Sequence, residues 1–402
     1  MSAAPLSSVS SAPDALAPPP NHPRFPLLDG MRAIAVLGVV LVHVAFFASA
    51  GSTPLPRVFA HMNIGVTIFF LISGFLLYRP FIAHRAGGAA APGNAVYLKR
   101  RALRIFPAYW AVLTVLTILP GTTGVSGGEW LGQYSLTFTL PFSGGADGCG
   151  ATIECGLSQT WSLVAEATFY LALPLWVLMS NRLCRGRSPR EWVSIELVGL
   201  AVVSVLSVTA AFGVADDERL ITGTVLGFGL WFALGMGLAV VSVALGDRPV
   251  TFIRDRPWAF WLAAAGIYAI TCAALPATPF LFATSDALAA HILFALTALL
   301  LMIPAVFGDA GGGWPRAVLA NPVVAWFGLV SYGIFLWHYV VTVELGSLGD
   351  GLSFWPLLAA TLAISIAAAT ASYYLLERPL LRLKYTGLRG ARTQPSAGTA
   401  GR

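Results

Sequence analysis

The stretch LLDGMRAIAVLGVVLVHVAFF, residues 27–47, combines an apolar run with two ionisable side chains, Arg32 and His43. The run is long enough to cross a bilayer core of about 30 Å as a helix. Eleven residues at helical pitch leave about 20° between the two side chains and about 16 Å along the axis. Arg32 and His43 therefore share one face of the predicted helix. Each is a functional candidate, because ionisable groups are costly in lipid.

The composition identifies a membrane protein. The chain has 402 residues, of which 57% are hydrophobic and 10% are charged, and its mean hydropathy is +0.76. Soluble domains are about 25% charged. The formal net charge is +6, but the basic residues separate apolar runs instead of lying among aromatic side chains on one face. This distribution argues against nucleic-acid binding.

Ten apolar runs predict an all-α integral membrane protein, a bundle of about ten transmembrane helices. The runs cover residues 31–50, 61–79, 104–120, 161–180, 192–214, 220–245, 257–275, 286–307, 322–345 and 353–376. If both termini are cytoplasmic, 22 of the 24 Lys and Arg residues lie on the inner side, and only Arg57 and Arg219 lie outside. The positive-inside rule therefore favours cytoplasmic termini and a multi-pass protein of the cell membrane.

The two ends of the chain differ from the predicted membrane domain, residues 26–385. Residues 1–25 and 386–402 are rich in small and polar residues and lack an apolar run. Such segments cannot bury enough apolar surface to fold alone. Both are predicted to be disordered cytoplasmic tails.

The longest predicted outer loop, residues 121–160, carries a pair of cysteines. Cys149 and Cys155 stand six residues apart in a Gly-rich segment. Because this loop is expected outside the cytoplasm, the two thiols are predicted to form a disulfide. The alternative is two free thiols in a flexible loop.

Two further predicted helices carry polar side chains on one face. The positions are Ser162, Glu166 and Tyr170 on the fourth helix, and Ser331, His338 and Thr342 on the ninth. By helical rise, Glu166, His338 and His43 are expected at similar depths in the outer half of the bilayer. Such convergence predicts a buried reaction site. The alternatives are that each histidine is a helix-packing residue that donates to a backbone carbonyl or a hydroxyl, and that Glu166 only favours a helix N-terminus.

Arg101 and Arg104 stand three residues apart at the start of the third predicted helix, so they share a face. Guanidinium groups bind phosphate in a bidentate manner, and these two with Arg32 predict a phosphate-binding pocket on the cytoplasmic side. The alternative is that Arg101 and Arg104 only anchor the helix to lipid headgroups. Anchoring is the favoured interpretation for the arginines of the next inner loop, which are Arg182, Arg185, Arg187 and Arg190.

Six motifs, in this order, resemble the acyltransferase 3 family of integral membrane acyltransferases. They are RFPLLDGMRAIAVLGVVLVH, GVTIFFLISGFLLYRP, RRALRIFPAYW, QTWSLVAEATFYLALPL, SYGIFLWHYVV and LLERPLLR, between about residues 24 and 384. The resemblance implies essential roles for Arg32, His43, Arg101, Arg104 and Glu166. Many relatives have a second acid where this chain has Ala167. Some also carry an SGNH-type esterase-like domain after the last helix, which is not expected here.

The resemblance implies transfer of an acyl group, acetyl by default, from acyl-CoA to a hydroxyl of an extracytoplasmic carbohydrate, glycolipid or macrolide-like acceptor. The arginines would hold the donor phosphates, and the pantetheine arm would bring the thioester near His43. His43 is expected to be the general base, and Glu166 to orient the imidazole or bind the acceptor. An acyl-histidine intermediate is the less favoured variant. Further acceptor-binding or supporting residues are expected to be Tyr170, His338 and Ser331.

No metal and no permanently bound cofactor are expected, because the His and acid positions lie on different helices without zinc-like spacing. Two other protein classes remain open. A transporter of a small acyl or glycan-related solute is compatible with buried His, Glu and Arg residues, but matching halves with broken helices are not evident. A catalytically inactive, sensor-like protein would keep the fold, and the presence of His43 argues against it.

Overall fold

The structure, a computed structural model, describes residues 25–49, 57–118, 129–138, 157–214, 223–246, 250–277, 284–307, 313–347 and 352–382. All regular structure within these ranges is helical, as predicted. The helices are α1 (Pro26–Ser49), α2 (Arg57–Ala60), α3 (Ile64–Arg85), α4 (Asn94–Ile118), α5 (Glu129–Ser135), α6 (Trp161–Leu183), α7 (Pro189–Thr209), α8 (Val225–Leu245), α9 (Thr251–Asp255), α10 (Pro257–Ala274), α11 (Thr284–Val306), α12 (Trp314–Leu319), α13 (Pro322–Gly346), α14 (Phe354–Ser372) and α15 (Arg378–Arg382). A 3₁₀ turn, Ser158–Thr160, precedes α6, and π-helical turns extend α7 (Ala210–Val214) and α14 (Tyr373–Glu377).

Nine helices within the described ranges are long and apolar enough to cross a membrane. They coincide with nine of the ten predicted runs, and their ends fall within six residues of the predicted ends. The third predicted run corresponds to α4, a helix of 25 residues that is not among the nine. The count of ten and the cytoplasmic position of both termini stay predictions.

Several sequence predictions lie outside the described residues. Apart from Phe25, this holds for the whole N-terminal tail, residues 1–25, and for the C-terminal tail, residues 386–402. It also holds for Cys149 and Cys155. The disorder of the tails and the disulfide therefore stay predictions.

Helix α4 begins at Asn94, ten residues before the predicted start of the third run. The added segment contains Ala, Leu, Lys and Arg residues, which have high helix propensity, and its Tyr97 side chain is buried. Arg101 and Arg104 consequently lie well inside the helix and not at its start. The predicted start of this helix was wrong because the apolar run begins only after the charged residues, whereas the helix already includes them.

Small residues allow the central helices to pack closely. A Cβ atom on Gly74 of α3 would collide with the carbonyl oxygen of Phe232 in α8, and one on Gly235 of α8 would collide with that of Leu71 in α3. Helices α1 and α13 meet in the same way where Gly328 lies against the α1 backbone. Helix association in lipid depends largely on such close packing. These contacts fix the positions of α1, α3 and α13 around one cavity.

A buried ion pair connects α3, α6 and α7. Glu196 is fully buried, accepts a hydrogen bond from the Tyr78 hydroxyl at 2.6 Å and pairs with Arg85. The Arg85 guanidinium also donates to Ser180 at 2.8 Å and to Asn181 at 2.7 Å. A buried carboxylate is tolerated only with such partners. The network therefore holds the three helices in one arrangement.

Candidate active site

Five helices, α1, α3, α4, α6 and α13, enclose a cavity of about 270 Å³. Its polar lining consists of arginines, hydroxyl groups and one carboxylate: Arg32, Ser73, Arg101, Arg104, Ser162, Glu166, Tyr170, Ser331 and Tyr332. The cavity brings together six of the eight residues predicted to be catalytic, donor-binding or supporting, which are Arg32, Arg101, Arg104, Glu166, Tyr170 and Ser331, and it also contains Ser162 from the predicted polar face. The remaining two, His43 and His338, form a separate pair.

Glu166 is held by two hydroxyl groups. The Ser73 and Tyr170 hydroxyls each donate a hydrogen bond of 2.6 Å to Oε1 of Glu166. Both donors use the same carboxyl oxygen. Oε2 makes no hydrogen bond within the described part of the chain.

The three arginines of the cavity differ in their partners. Nη1 of Arg32 donates to Asp29 at 2.9 Å, and Nη1 of Arg104 lies 3.7 Å from a carboxylate oxygen of Glu377. Arg101 makes no ion pair with any described residue, and its guanidinium lies 5.9 Å from the centre of the Tyr170 ring. Arg101 is thus the cavity arginine whose charge is least compensated by a neighbouring carboxylate.

His43 of α1 and His338 of α13 contact each other through their rings. Nε2 of His338 lies 3.3 Å from Nδ1 of His43, and the ring centroids are 5.1 Å apart. The pair is packed against Tyr339, whose ring centroid is 5.3 Å from that of His43. His338 is fully buried.

Backbone contacts determine the tautomer of both imidazoles. Nδ1 of His43 lies 2.7 Å from the carbonyl oxygen of Val39, and Nδ1 of His338 lies 3.1 Å from that of Ile334. A carbonyl oxygen only accepts, so Nδ1 of each neutral ring carries the hydrogen. The single Nδ1 hydrogen of His43 is then shared between the nearer Val39 carbonyl and Nε2 of His338, which accepts the longer branch at 3.3 Å. This assignment places the lone pair of the neutral His43 ring on Nε2.

The histidine pair lies beside the cavity and not in its lining. Phe335 connects the two, because it lines the cavity and its ring centroid is 5.9 Å from that of His338. Glu166 therefore lies with the arginines, whereas His43 and His338 form a second group. Neither histidine lines the cavity that contains Glu166, and the expected convergence of all three on one reaction site stays a prediction. Helical rise gives a position along each axis but not the lateral position of the helix.

Four residues of the site were not singled out from the sequence. Ser73 and Tyr332 line the cavity, while Asp29 and Glu377 pair with its arginines. Asp29 stands three residues before Arg32, a spacing that brings two side chains together on a helix. Among these four residues, only Asp29 could have been identified from its spacing to a predicted site residue. Glu377 is far from Arg104 in sequence, and only the fold brings them together.

No group of three or more His, Cys, Asp or Glu side chains in the described ranges is arranged to hold a metal ion. The expectation of no metal and no permanently bound cofactor stays a prediction, as do the roles assigned to the individual site residues.

Comparison with known proteins identifies the family. A family model described as an acyltransferase domain matches residues 25–377. The chain is 27% identical to the acyltransferase MdmB of Streptomyces mycarofaciens, over 91% of this chain and 94% of that protein. It is 25% identical to the peptidoglycan O-acetyltransferase OatA of Listeria monocytogenes, over 79% of this chain and 49% of that protein.

A further relative is YrhL of Bacillus subtilis, with 25% identity over 90% of this chain and 55% of that protein. The chain thus spans about half the length of the Listeria and Bacillus relatives. No solved structure matches the chain. The nine apolar helices indicate a multi-pass membrane protein. Since the family model covers most of its length, the chain belongs to this family of acyltransferases.

Proposed function

We propose that the chain is an O-acyltransferase of the cell membrane that moves an acyl group, acetyl by preference, from cytoplasmic acyl-CoA to an extracytoplasmic hydroxyl. The acceptor class is a carbohydrate, a glycolipid or a macrolide-like ring. The observation that carries the proposal is the cavity in which Arg32, Arg101 and Arg104 meet Glu166. It offers cations to an anionic donor and a carboxylate to a polar acceptor.

The arginines favour a donor with phosphate groups. Guanidinium forks bind phosphate through paired hydrogen bonds. Asp29 and Glu377 hold the guanidinium groups of Arg32 and Arg104, which limits their loss of conformational freedom on binding. Arg101 supplies the uncompensated charge. The donor pyrophosphate is therefore placed against Arg101 in this proposal.

His43 supplies the base. Its Nε2 takes the proton from the acceptor hydroxyl, and the hydroxyl oxygen attacks the thioester carbonyl carbon. The new C–O bond forms as the C–S bond breaks, and the leaving thiolate of CoA takes the proton from the imidazolium. In this proposal the Val39 carbonyl sets the tautomer of His43, and the contact with His338 holds the orientation of the ring. The thioester reaches the pair past Phe335, which contacts both the cavity and His338.

The acceptor is assigned by class from two observations. The Listeria relative is named as a peptidoglycan O-acetyltransferase, which favours a surface glycan. Within the cavity, Oε2 of Glu166 is available to a sugar hydroxyl, and the Tyr170 hydroxyl lies next to it on Oε1. Glu166 therefore binds the acceptor and does not orient the imidazole in this proposal.

The test uses the full chain purified in lipid nanodiscs, with radiolabelled acetyl-CoA and a panel of glycans, glycolipids and macrolides. Label recovered in an ester of one acceptor class, at a rate proportional to protein concentration, supports the proposal. The same protein in sealed liposomes is assayed for solute movement. Transport of unmodified solute without ester formation would contradict the proposal and indicate a transporter.

A further inference from the structure

A second cavity, of about 1300 Å³, opens where α3 and α6 end and α7 begins. Four arginines line it, Arg85, Arg185, Arg187 and Arg190, together with Asn181 and His84. No part of the proposed transfer uses this space. The first cavity, at about 270 Å³, is below the range of about 300–1,000 Å³ typical of small-molecule sites. It is too small for a complete acyl-CoA.

Charges around the second cavity are predominantly positive. Arg85 pairs with the buried Glu196, and Arg187 lies 3.5 Å from Glu191. Arg185 and Arg190 make no ion pair with any described residue. These two guanidinium groups therefore present positive charge to an incoming anion.

Both cavities lie along α6. Glu166 and Tyr170 of this helix line the first cavity, and Val177 and Asn181 line the second, as does Cys184, the first residue after the helix. These positions follow one another at intervals of three, four or seven residues, so they lie on one helical face. Tyr170 and Val177 are about 10 Å apart along the axis.

Helix α3 repeats the arrangement. Ser73 and Leu77 line the first cavity, and Phe81 and His84 line the second. Leu77 and Phe81 are one turn apart, about 6 Å. One face of α3 and one face of α6 therefore line both cavities in succession.

We propose that the second cavity binds the adenosine end of the acyl-CoA donor and that Arg185 and Arg190 bind its ribose phosphate. This inference rests on the proposed function. The pyrophosphate then lies toward Arg101, and the pantetheine arm continues through the first cavity toward Phe335 and the histidines. The arginines of this turn, interpreted from the sequence as headgroup anchors, become donor-binding residues.

Arg182 serves as a control for Arg185 and Arg190. It is an exposed arginine at the same end of α6, but it does not line the cavity. Arg256 is a second exposed arginine outside the cavity, in the turn between α9 and α10. Exchanging these two changes the net charge as much as exchanging Arg185 and Arg190.

The test compares binding of CoA and of dephospho-CoA, which lacks the ribose phosphate, to the purified full chain. The parent is expected to bind CoA at least about tenfold more tightly, because a charge-assisted phosphate contact is lost in dephospho-CoA. The variant R185S/R190S is expected to lose that preference and keep its affinity for dephospho-CoA. The control variant R182S/R256S is expected to retain the preference. All four side chains are exposed, so their exchange leaves the fold intact.

Equal affinity of the parent for both ligands, or an unchanged preference in R185S/R190S, would overturn the inference while the proposed donor stands. A variant that loses only its dependence on anionic phospholipid in the nanodisc, with its CoA preference intact, also overturns it. That result would make the cavity a lipid site. A parent that binds neither CoA nor dephospho-CoA and transfers no label refutes the proposed function itself.

Discussion

The hydrogen bonds of His43 decide which ring nitrogen can act as a base. Nδ1 is occupied by the Val39 carbonyl and by Nε2 of His338. In the proposed step, the reacting nitrogen of His43 is therefore Nε2. The proposal assigns proton transfer to His43 and the orientation of its ring to His338, so the two histidines are expected to respond differently to substitution.

Replacing His43 with alanine removes the base. We expect H43A to reduce acyl transfer by about 10²–10⁴-fold, the usual contribution of a general base, and to leave CoA affinity unchanged. The measurement is initial rate with labelled acetyl-CoA, together with ligand binding. The matched control is H291A, which removes a buried histidine stacked on Trp231 at a centroid distance of 4.4 Å. Transfer at the parental rate in H43A would refute the assigned base.

Replacing His338 with alanine leaves the proposed base, His43, in place but removes the side chain that orients its ring. We expect H338A to lower kcat by roughly tenfold, in line with the loss of an orienting hydrogen bond, while the KM for the donor changes little. A steady-state titration of acetyl-CoA separates these two parameters. If H338A raised KM and left kcat at the parental value, His338 would be a binding residue instead.

At the level of helices, buried polar contacts and close glycine contacts serve different purposes. The Glu196 network joins α3, α6 and α7 through specific hydrogen bonds. The glycine contacts between α3 and α8 join helices through shape alone. Both types position α3, which contributes Ser73 to the first cavity and Phe81 to the second.

The Glu196 network is expected to be a large stabilising element. E196A removes the fully buried partner of the half-buried Arg85, and removal of one partner of a buried pair costs up to about 3–5 kcal/mol. The apparent Tm in detergent should fall markedly, and the double variant R85A/E196A should recover part of the loss. E191A, which removes an exposed carboxylate of the same helix, is the control and should change Tm far less. Equal Tm values for E196A and E191A would contradict this role.

Any side chain at Gly74 is expected to disrupt the contact between α3 and α8. In G74A the new methyl group meets the Phe232 carbonyl oxygen, so the helices must separate. We expect a lower apparent Tm and a reduced rate of transfer. G266A in α10 is the control, since nothing lies within 4 Å of its Cβ position. There alanine should be neutral or raise stability by about 0.5–1 kcal/mol, through its higher helix propensity. A stable and active G74A would show that this contact is not required.

At the level of the whole molecule, the orientation in the membrane decides which substrate reaches which cavity. The proposal requires the second cavity to face the cytoplasm, where acyl-CoA is made, because Arg185 and Arg190 line it. The positive-inside distribution of Lys and Arg predicts this orientation. It can be tested without reference to activity.

Two single cysteines report the orientation, in a background with Cys149 and Cys155 replaced by serine. Cys184 and Cys272 are buried and should not react. Ser135 is exposed and lies in the predicted outer loop. Arg182 is also exposed and lies at the predicted inner end of α6. A membrane-impermeant maleimide should label S135C in intact cells and R182C only after permeabilisation. The reverse pattern would invert the topology and exclude the cytoplasmic donor.

The local features of the helices followed from the sequence alone. Apolar run length predicted nine of the helices within six residues, because a bilayer of fixed thickness selects helices of matching length. Helical periodicity placed Glu166 and Tyr170 on one face, and the structure joins them by a hydrogen bond. It also placed Ser331 and His338 on one face, yet Ser331 lines the cavity and His338 does not. These features depend on neighbours along one helix, which a sequence records directly.

The tertiary structure decided which faces meet. It placed Glu166, but neither histidine, in the lining of the first cavity, paired Arg104 with Glu377 and left Arg101 without an ion pair among the described residues. It also placed three of the arginines expected as headgroup anchors, Arg185, Arg187 and Arg190, in the lining of a second cavity. Helical rise and periodicity describe a single helix, whereas these contacts depend on how separate helices cross. That crossing is set by close packing at glycines such as Gly74 and Gly328, whose partners are distant in the sequence.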